Sequence, residues 1–339
     1  MHLDNISHNY SGWAPGLCVT GDQSAKRRRA GLAIPHFDSA AIEAATPWPT
    51  LIAALRDAFS AKHHAPDRHI HEIAVPGARE ATALLMPAWI EGEIYGVKLA
   101  NIFPSNGELG LPSVSSIYVA FDGTTGQVRA TMDGGTLTVR RTAATSALAS
   151  SYLSRPDSSS LLMVGAGRMA PMLIGAHRSI RPIRRVLIWA RDSLRAAELA
   201  KVTNAEVVTD LSRAVAEADI ISTATLSHSP LVEGRWLRPG THLDLVGAYA
   251  PAMRETDAEA VARASVFIDT PGGARAEAGD LIQAEREGRF TWQEVRADLA
   301  DLVTGRHAGR TSESEITMFK SVGAAIEDLA AARLVLGAS

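Results

Sequence analysis

One short segment constrains the fold of this chain more than any other. Residues 165–170 read Gly-Ala-Gly-Arg-Met-Ala, which matches the pattern G-x-G-x-x-A. The segment follows an apolar run at 161–164, a predicted strand, and opens a predicted helix at Met169. The first glycine permits a tight turn, the second lets a pyrophosphate approach the backbone, and the small third residue lets helix and strand pack closely. A strand-to-helix turn without a ligand is the alternative, but this context predicts dinucleotide binding at Gly165 and Gly167.

The segments around this fingerprint alternate between strand and helix. Helices are predicted from Ser193 and Asp210. Short apolar runs predict strands at residues 186–190, 206–208, 220–224, 242–246 and 266–269. Short strands that alternate with helices are typical of a parallel sheet covered on both faces. We therefore predict an α/β fold with a Rossmann-type, doubly wound parallel sheet.

The two ends of the chain follow other patterns. Residues 69–121 contain several β-rich runs separated by Gly, Pro and Asn, which predict a small mixed sheet. A helix is predicted to open at Arg141. Near the C-terminus, Ser312 and Glu315 fit a capping box, and apolar residues at 316–329 recur at helical spacing, so a helix is predicted there.

The end of the second strand of the parallel sheet discriminates between the two nicotinamide dinucleotides. An acidic side chain there accepts a hydrogen bond from the ribose 2′-hydroxyl and repels a 2′-phosphate. In this chain Ala190 stands at about that place and Arg191 follows, with a guanidinium suited to a phosphate. Asp192 complicates this interpretation, but with Ser193 it fits the cap of the next helix. NADPH is therefore the predicted cofactor, with NADH as the alternative.

Composition excludes several classes of protein. The chain has 339 residues, with 34 Lys+Arg against 37 Asp+Glu, so 34 − 37 gives a formal charge of −3. This balance excludes nucleic-acid or membrane binding by bulk electrostatics, and 5% aromatic residues argue against a base-stacking surface. The sequence contains no apolar run of about 18 residues. We predict neither a nucleic-acid nor a membrane partner.

Cysteine and histidine usage bounds the compartment and the metal chemistry. A single cysteine, Cys18, cannot form an internal disulfide, so a reducing, cytoplasmic location is expected. His63, His64, His69 and His71 are close in sequence, but no set of ligands with recognisable spacing accompanies them, so no metal site is predicted. Residues 1–30, with a basic run at 26–29, are predicted to form a flexible extension.

Further short motifs are spaced along the chain. They are Gly96-Val97-Lys98 with Asn101, Gly110-Leu111-Pro112-Ser113, Arg141-Thr142-Ala143-Ala144, the glycine fingerprint, and residues 315–323. In this order they resemble the ornithine cyclodeaminase/mu-crystallin family, over about Leu32 to Leu336. The resemblance implies a homodimer, with a mixed α+β substrate-binding and dimerisation domain at 31–142 and 305–339 and a dinucleotide-binding domain at 143–304.

The resemblance also implies roles for individual residues. Lys98 and Arg141 match catalytic positions: the lysine faces the substrate, and the arginine lies between cofactor and substrate. Arg68 matches the arginine that holds the substrate carboxylate, a task that Arg141 is expected to share. An ammonium inside an apolar strand is costly unless it meets an anion or a carbonyl. The alternatives are a structurally paired or surface-reaching Lys98 and a surface role for Arg68. Dinucleotide contacts are implied for Ser113, Arg141, Thr142, Gly165, Gly167, Arg168, Met169, Arg191, Thr223, Ala224, Thr225, Val246 and Ser321.

One position departs from the cyclodeaminases of that family. Tyr249 stands where they have an aspartate that serves the substrate's amino group and transfers protons. A tyrosine, with a reference pKa of about 10, is seldom an anionic base at neutral pH. Residues 246–255 instead resemble the bacterial Δ1-pyrroline-2-carboxylate reductases. Tyr249 is expected at the substrate, as a wall of the pocket or as a hydroxyl that orients the ligand.

The expected reaction is the NADPH-dependent reduction of a cyclic ketimine, a small cyclic imino acid. The leading expectation is Δ1-pyrroline-2-carboxylate to L-proline, with Δ1-piperideine-2-carboxylate to L-pipecolate as a further reaction. The alternatives are an ornithine cyclodeaminase, an NADPH- or small-ligand-binding protein of the mu-crystallin type, and an L-amino acid dehydrogenase. The proton donor stays open between Lys98, a water molecule and solvent, and no acidic residue that would expel an amine is expected in the pocket.

Overall fold

The computed structural model describes residues 33–337 of the chain. The extension predicted at 1–30, with Cys18 and the basic run at 26–29, lies outside the described residues.

The described residues form eleven α-helices and fourteen strands. The helices are α1 (Ser39–Ala45), α2 (Trp48–Ser60), α3 (Gly134–Leu153), α4 (Met169–Ile180), α5 (Ser193–Thr203), α6 (Leu211–Glu217), α7 (Ala258–Arg263), α8 (Pro271–Glu277), α9 (Gly279–Arg286), α10 (Leu299–Val303) and α11 (Ala325–Gly337). The strands are β1 (His36–Phe37), β2 (His69–Ile73), β3 (Ala81–Ile90), β4 (Ile94–Ile102), β5 (Val114–Asp122), β6 (Val128–Asp133), β7 (Ser160–Val164), β8 (Arg185–Trp189), β9 (Glu206–Val207), β10 (Ile220–Thr223), β11 (His242–Leu245), β12 (Ser265–Ile268), β13 (Val295–Asp298) and β14 (Thr317–Lys320). Within this part of the chain, no helix is long and apolar enough to cross a membrane.

Aspartate caps start many of these helices. A side-chain oxygen of the residue before the helix accepts a hydrogen bond from a backbone N–H of the first turn, which otherwise lacks a partner. Six of the described helices begin in this way, after Asp38, Asp133, Asp192, Asp210, Asp257 and Asp298.

The first sheet has six strands in the order β1-β6-β5-β4-β3-β2. β1 pairs with β6 in parallel, and the other pairs are antiparallel, so the predicted mixed sheet is present. One face carries buried side chains, including the cross-strand neighbours Met86, Lys98 and Tyr118. Helices α3 and α11 pack against strands of this sheet. Lys98 therefore lies on the inner face, among apolar neighbours.

The second sheet has eight parallel strands in the order β13-β12-β14-β11-β10-β7-β8-β9. The chain runs from β7 outward through β8 to β9, and then returns to β10 on the other side of β7. This reversal is the switch point of a doubly wound fold. The predicted fold class, a Rossmann-type parallel sheet together with a mixed α+β part, is confirmed.

Helix α3 begins earlier than the sequence predicts. Its first residue is Gly134, and Asp133 accepts a hydrogen bond from the backbone N–H of Thr136 at 2.6 Å. Arg141, the predicted first residue of this helix, lies in its middle. The pair of glycines at 134 and 135 suggests a break, but the aspartate cap fixes the start before them. The predicted domain boundary between residues 142 and 143 therefore falls inside one helix.

The C-terminal segment also differs from its prediction. Residues 317–320, predicted as helix, form β14, which pairs with β11 and β12 in the second sheet. The helix α11 starts only at Ala325, after Gly323 with a φ of +84°. A strand buried on both faces gives a continuous apolar run that periodicity does not distinguish from a buried helix. β14 thus lies in the dinucleotide-binding sheet, although 305–339 was assigned to the other domain, and the two-domain division stays a prediction.

Candidate active site

Most of the predicted dinucleotide residues meet at one edge of the eight-stranded sheet. Its strands are parallel, so their carboxyl ends lie along the same edge. Residues of the predicted set follow these ends within two positions: Gly165 after β7, Arg191 after β8, Thr225 after β10, Val246 after β11 and Ser321 after β14. β7 and β10 flank the switch point, the place where α/β sheets bind ligands.

The turn between β7 and α4 leaves room for an anion. Gly165 has a φ of +116°, and a Cβ atom there would lie 2.8 Å from the carbonyl oxygen of Ala224. Gly167 is exposed, and a Cβ atom there would meet nothing within 4 Å. Helix α4 begins at Met169, and the first N–H groups of a helix attract negative charge. The turn therefore fits the pyrophosphate of a dinucleotide.

The residues that would select the dinucleotide lie after β8. Asp192 accepts hydrogen bonds from the backbone N–H groups of Leu194 and Arg195, at 3.0 and 3.2 Å, so it caps α5 as the sequence indicates. Arg191 is exposed beside it. The carboxylate is thus engaged by the helix, and the guanidinium is accessible to a phosphate.

The remaining members of the predicted dinucleotide set lie in different places. Ser113 is exposed before β5, where its carbonyl accepts a hydrogen bond from the backbone N–H of Phe103 at 2.8 Å. Thr142 is buried within α3. Arg168 directly precedes α4, and its guanidinium approaches Gly135 at the start of α3. The roles of these residues as dinucleotide contacts stay predictions.

Helix α11 brings the two predicted catalytic cations together. The Lys98 Nζ atom lies 2.8 Å from Asp328 Oδ2. The Nε atom of Arg141 lies 3.0 Å from Asp328 Oδ1, and its Nη1 atom lies 2.6 Å from Glu327 Oε2. All four side chains are buried. A strand of the first sheet and two helices thus converge on one ionic cluster, here called the Asp328 cluster: Lys98, Arg141, Glu327 and Asp328.

Burial and charge set the protonation states in the Asp328 cluster. Burial, and then the positive charge of Arg141, lowers the pKa of Lys98 to about 8, although Asp328 acts in the opposite direction. Burial alone would raise the pKa of Asp328, but Arg141 and Lys98 outweigh it and hold that pKa below its ordinary value. Asp328 is therefore an anion and a weak base, and Lys98 loses its charge as the pH rises through about 8.

The two carboxylates of the Asp328 cluster are not among the predicted site residues, and the expected absence of an acidic residue that would expel an amine stays a prediction. Glu327 and Asp328 are separated from Lys98 by more than 200 residues in the sequence. A signal for them was available, because the pair interrupts the otherwise apolar and alanine-rich segment at 325–332. Charged residues inside such a segment need partners of opposite charge.

Arg68 lies at a cavity beside this cluster. Its Nη2 atom donates to the backbone carbonyls of Val322, at 3.1 Å, and of Gly323, and its Nε atom lies 3.1 Å from Glu277 Oε1. The cavity has a volume of about 280 Å³. Its lining includes Arg68, Ile70, Met86, Thr270, Glu277 and Gly323. The positive charge of Arg68 also reaches Lys98, whose pKa it lowers further.

A glycine turn connects Arg68 to Arg141. A Cβ atom at Gly323 would lie 2.5 Å from Arg141 Nη1, so only glycine lets the backbone pass this close to the guanidinium. Asp269, directly after β12, accepts hydrogen bonds from the backbone N–H groups of Val322 and Gly323, both at 2.7 Å. Arg68 and Arg141 therefore contact one fixed turn, and Lys98 is joined to Arg141 through Asp328.

Tyr249 lies apart from the residues that line this cavity. It is half-buried against the apolar side chains of the eight-stranded sheet, and burial raises its pKa. It is therefore a neutral phenol at physiological pH, and its contact with a substrate stays a prediction.

Among the histidines near residue 63, His64 contacts a glutamate and a tryptophan. His64 lies 2.8 Å from Glu91 Oε1 and stacks on Trp89. Among residues 33–337, no group of three or more His, Cys, Asp or Glu side chains is arranged to hold a metal ion.

A protein-family model matches nearly all of the residues that the structure describes. The model of the ornithine cyclodeaminase/mu-crystallin family matches residues 38–338. The chain belongs to this family. The resemblance inferred from separated motifs of the ornithine cyclodeaminase/mu-crystallin family is thus confirmed.

Relatives within the ornithine cyclodeaminase/mu-crystallin family carry the names of several oxidoreductases. The chain is 39% identical over 288 residues to a Δ1-pyrroline-2-carboxylate reductase of Paracoccus denitrificans, covering 83% of this chain and 90% of that protein. The structure of the Thermococcus litoralis Δ1-pyrroline-2-carboxylate reductase with NADH and L-proline has a TM-score of 0.84 and 32% identity, covering 90% of this chain and 97% of that chain. An archaeal alanine dehydrogenase dimer with bound NAD has a TM-score of 0.82 and 27% identity, covering 90% and 95%.

Proposed function

We propose that the protein uses NADPH to reduce a cyclic ketimine that carries a carboxylate. The protein is an oxidoreductase that acts on C=N bonds. We propose Δ1-pyrroline-2-carboxylate as its substrate and L-proline as its product, with the six-membered homologue as a second substrate. The observation that carries this proposal is the contact of Arg68 and Arg141 with the turn at Gly323, beside a cavity of about 280 Å³, with Lys98 joined to Arg141 through Asp328.

Each of these cations has a task that its geometry supports. Contacts to Glu277 and to two carbonyl groups use the Nε and Nη2 atoms of Arg68, and Nη1 is the nitrogen that we assign to the substrate carboxylate. Arg141 is fixed by two carboxylates, so its position costs little to organise when the substrate binds. Lys98 is protonated below a pH of about 8 and stabilises negative charge in the pocket.

The turn between β7 and α4 and the residues along the same sheet edge would hold the dinucleotide. When bound, the dinucleotide supplies the hydride that the imine carbon accepts. The chain's own contribution is to orient the two reactants, an effect worth about 7 to 11 kcal/mol in well-aligned systems. The cofactor preference rests on Arg191, which is exposed beside a neighbour, Asp192, already engaged as a helix cap.

The tyrosine at sequence position 249 disfavours the alternative function, an ornithine cyclodeaminase. A cyclodeaminase needs a basic carboxylate at the substrate's amino group, and this chain has a neutral tyrosine at the matching position. Asp328 does not replace that base, because its two oxygens are paired with Lys98 and Arg141, whose charges also lower its pKa.

We further infer that the protein acts as a homodimer in the cytoplasm. The outer face of the six-stranded sheet exposes apolar side chains, among them the cross-strand neighbours Leu99 and Ile117, each 39% exposed. Such a face is typical of an interface between subunits. The single cysteine in the sequence supports the cytoplasmic location.

A panel of substrates tests the proposal. Loss of reduced nicotinamide absorbance is measured with NADPH or NADH, offered with five- and six-membered cyclic imino acids and with pyruvate plus ammonia. We expect turnover of the cyclic imino acids, with NADPH preferred.

The Arg191→Asp variant should raise the KM for NADPH about tenfold or more and leave the KM for NADH unchanged, because a charge-assisted bond to phosphate is lost.

Arg213→Asp is the matched control, since Arg213 is also exposed and its partner is Glu217. It should leave both KM values unchanged. Ammonia release from ornithine without net nicotinamide change would instead identify a cyclodeaminase. Turnover of pyruvate plus ammonia alone would identify an alanine dehydrogenase, and NADPH binding without any turnover would identify a storage protein.

A further inference from the structure

A further buried carboxylate, Glu255, lies next to residues of the predicted dinucleotide site and outside the chemistry described above. Its side chain is fully buried. Oε2 accepts hydrogen bonds from the Thr223 hydroxyl at 2.8 Å and from the backbone N–H groups of Gly247, at 2.7 Å, and Ala248, at 3.3 Å. Oε1 accepts from the backbone N–H of Thr225 at 2.7 Å and from its hydroxyl at 2.8 Å. One carboxylate thus receives five hydrogen bonds.

These five donors come from two neighbouring segments at the carboxyl edge of the parallel sheet. Thr223 ends β10 and Thr225 lies in the loop after it, and the loop after β11 carries Gly247 and Ala248. The loops are in direct contact, because a Cβ atom at Gly247 would lie 2.0 Å from the carbonyl oxygen of Thr225. A carboxylate between them therefore fixes their separation and the direction of their backbone groups.

Other buried charges hold Glu255 itself in place. Asp280 Oδ1 accepts hydrogen bonds from the backbone N–H groups of Glu255, at 2.7 Å, and Thr256, at 2.9 Å. The other oxygen of Asp280 lies 3.0 Å from Lys320 Nζ, at the end of β14. Lys320 and Asp280 are fully buried. The carboxylate is thus connected through α9 to the strand that precedes Ser321, another predicted dinucleotide contact.

From these contacts, we propose that Glu255 is a positioning residue for the dinucleotide, which holds the loops after β10 and β11 at the spacing that the bound cofactor needs. This inference rests on the dinucleotide binding in the proposed function. Both oxygens of the Glu255 carboxyl group accept hydrogen bonds, whereas a glutamine would turn its own N–H groups toward some of the same donors. We therefore expect the isosteric change to move the loops.

Direct binding of the dinucleotide tests this role. The dissociation constants of NADPH and NADH are measured by calorimetric titration for the parent protein and for Glu255→Gln, at a temperature where circular dichroism shows both to be folded. We expect Glu255→Gln to weaken binding about tenfold or more, because two loops lose their shared acceptor. At saturating NADPH, the KM for the cyclic imino acid should stay unchanged, because the residue acts on the cofactor loops.

Asp219→Asn is the matched control. Asp219 is a buried carboxylate that accepts hydrogen bonds from the backbone N–H groups of Ser159 and Ser160, at 2.9 and 3.0 Å, at the opposite edge of the same sheet. Loss of the Asp219 carboxylate should lower the unfolding temperature and leave the dissociation constants of NADPH and NADH unchanged. Equal weakening of binding in both variants would reduce Glu255 to a general structural role and overturn the proposal.

A second variant covers the case in which Glu255→Gln does not fold. Thr223→Val removes one donor to the carboxylate in a nearly isosteric way, and it should weaken dinucleotide binding several-fold. Unchanged binding in this variant and in any folded Glu255→Gln protein would disprove the positioning role. A parent protein that binds neither dinucleotide would instead disprove the proposed function itself.

Discussion

Lys98 shows how a single buried charge is made tolerable. Its neighbours across the strands, Met86 and Tyr118, offer no negative charge, and an unpaired ammonium at such a place is strongly unfavourable. Asp328 supplies the compensating carboxylate, and the balance leaves the pKa of Lys98 at about 8. The charge of this residue is therefore sensitive to small changes in its surroundings.

This balance predicts the pH dependence of the reaction. Lys98 loses its proton as the pH rises through about 8, so kcat/KM should fall above that pH, by about tenfold per unit. Asp328 raises the pKa of Lys98, so the Asp328→Asn variant should shift this alkaline limb to lower pH, by about 1 to 3 units. Profiles of kcat/KM against pH measure the shift.

The neighbouring residue provides the control for this shift. Glu327 contacts Arg141 instead of Lys98, so Glu327→Gln should leave the limb close to its parental position. Ionisation of the substrate is common to all three proteins and cancels in the comparison. Identical limbs in the parent and in Asp328→Asn would show that Lys98 does not control the profile.

At the scale of elements, the turn between β7 and α4 contains two glycines that are needed for different reasons, one for the backbone conformation and one for ligand binding. Gly165 is needed by the fold, because its φ of +116° is unfavourable for other residues and a side chain would strike the carbonyl of Ala224. Gly167 is exposed, with open space where a side chain would stand. The second glycine is therefore expected to serve the ligand and not the fold.

Two alanine variants distinguish the structural role of Gly165 from the ligand-binding role of Gly167. Gly165→Ala should lower the free energy of unfolding by about 1 to 3 kcal/mol, because it imposes backbone strain. Gly167→Ala should leave stability unchanged and weaken dinucleotide binding, since its methyl group would fill the space that the pyrophosphate needs. Urea unfolding and calorimetric titration measure the two effects. Parental affinity in a folded Gly167→Ala protein would contradict this division.

At the scale of the whole molecule, two long-range elements join the sheets at the candidate site. Helix α3 packs against β5 of the first sheet and β14 of the second, and it carries Arg141. Helix α11 follows β14 and packs against β3 and β4, and it carries Asp328. The opposite face of the six-stranded sheet remains exposed and apolar, which is the basis of the proposed homodimer.

A charge on that outer face tests the assembly. Leu99→Glu should convert the dimer to a monomer, because a buried unpaired carboxylate at an apolar interface is costly. Val202→Glu is the control, since Val202 is 80% exposed on α5, away from the six-stranded sheet. Light scattering coupled to size-exclusion chromatography gives the mass of each. A monomeric parent protein would contradict the proposal.

The sequence by itself determined the features that depend on near neighbours along the chain. The Asp192 cap is set by hydrogen bonds to the next turn of the chain, the left-handed turn at Gly165 by local backbone geometry, and the strand–helix alternation from 160 to 269 is visible in the local spacing of apolar residues. The family motifs also placed Lys98 and Arg141 among the candidate residues. The start of α3 and the strand β14 were mispredicted, because a glycine pair and a doubly buried strand give ambiguous local patterns.

Only the tertiary structure decided which charges meet. Lys98 and Asp328 are 230 positions apart, and Arg141 and Glu327 are 186 apart, so no local pattern relates them. Glu255 became recognisable as a bridge between two loops only once parallel strands had brought their carboxyl ends together. The physical reason is that a buried charge is stabilised by whichever partner the fold brings within a few ångströms, and that distance is independent of separation along the chain.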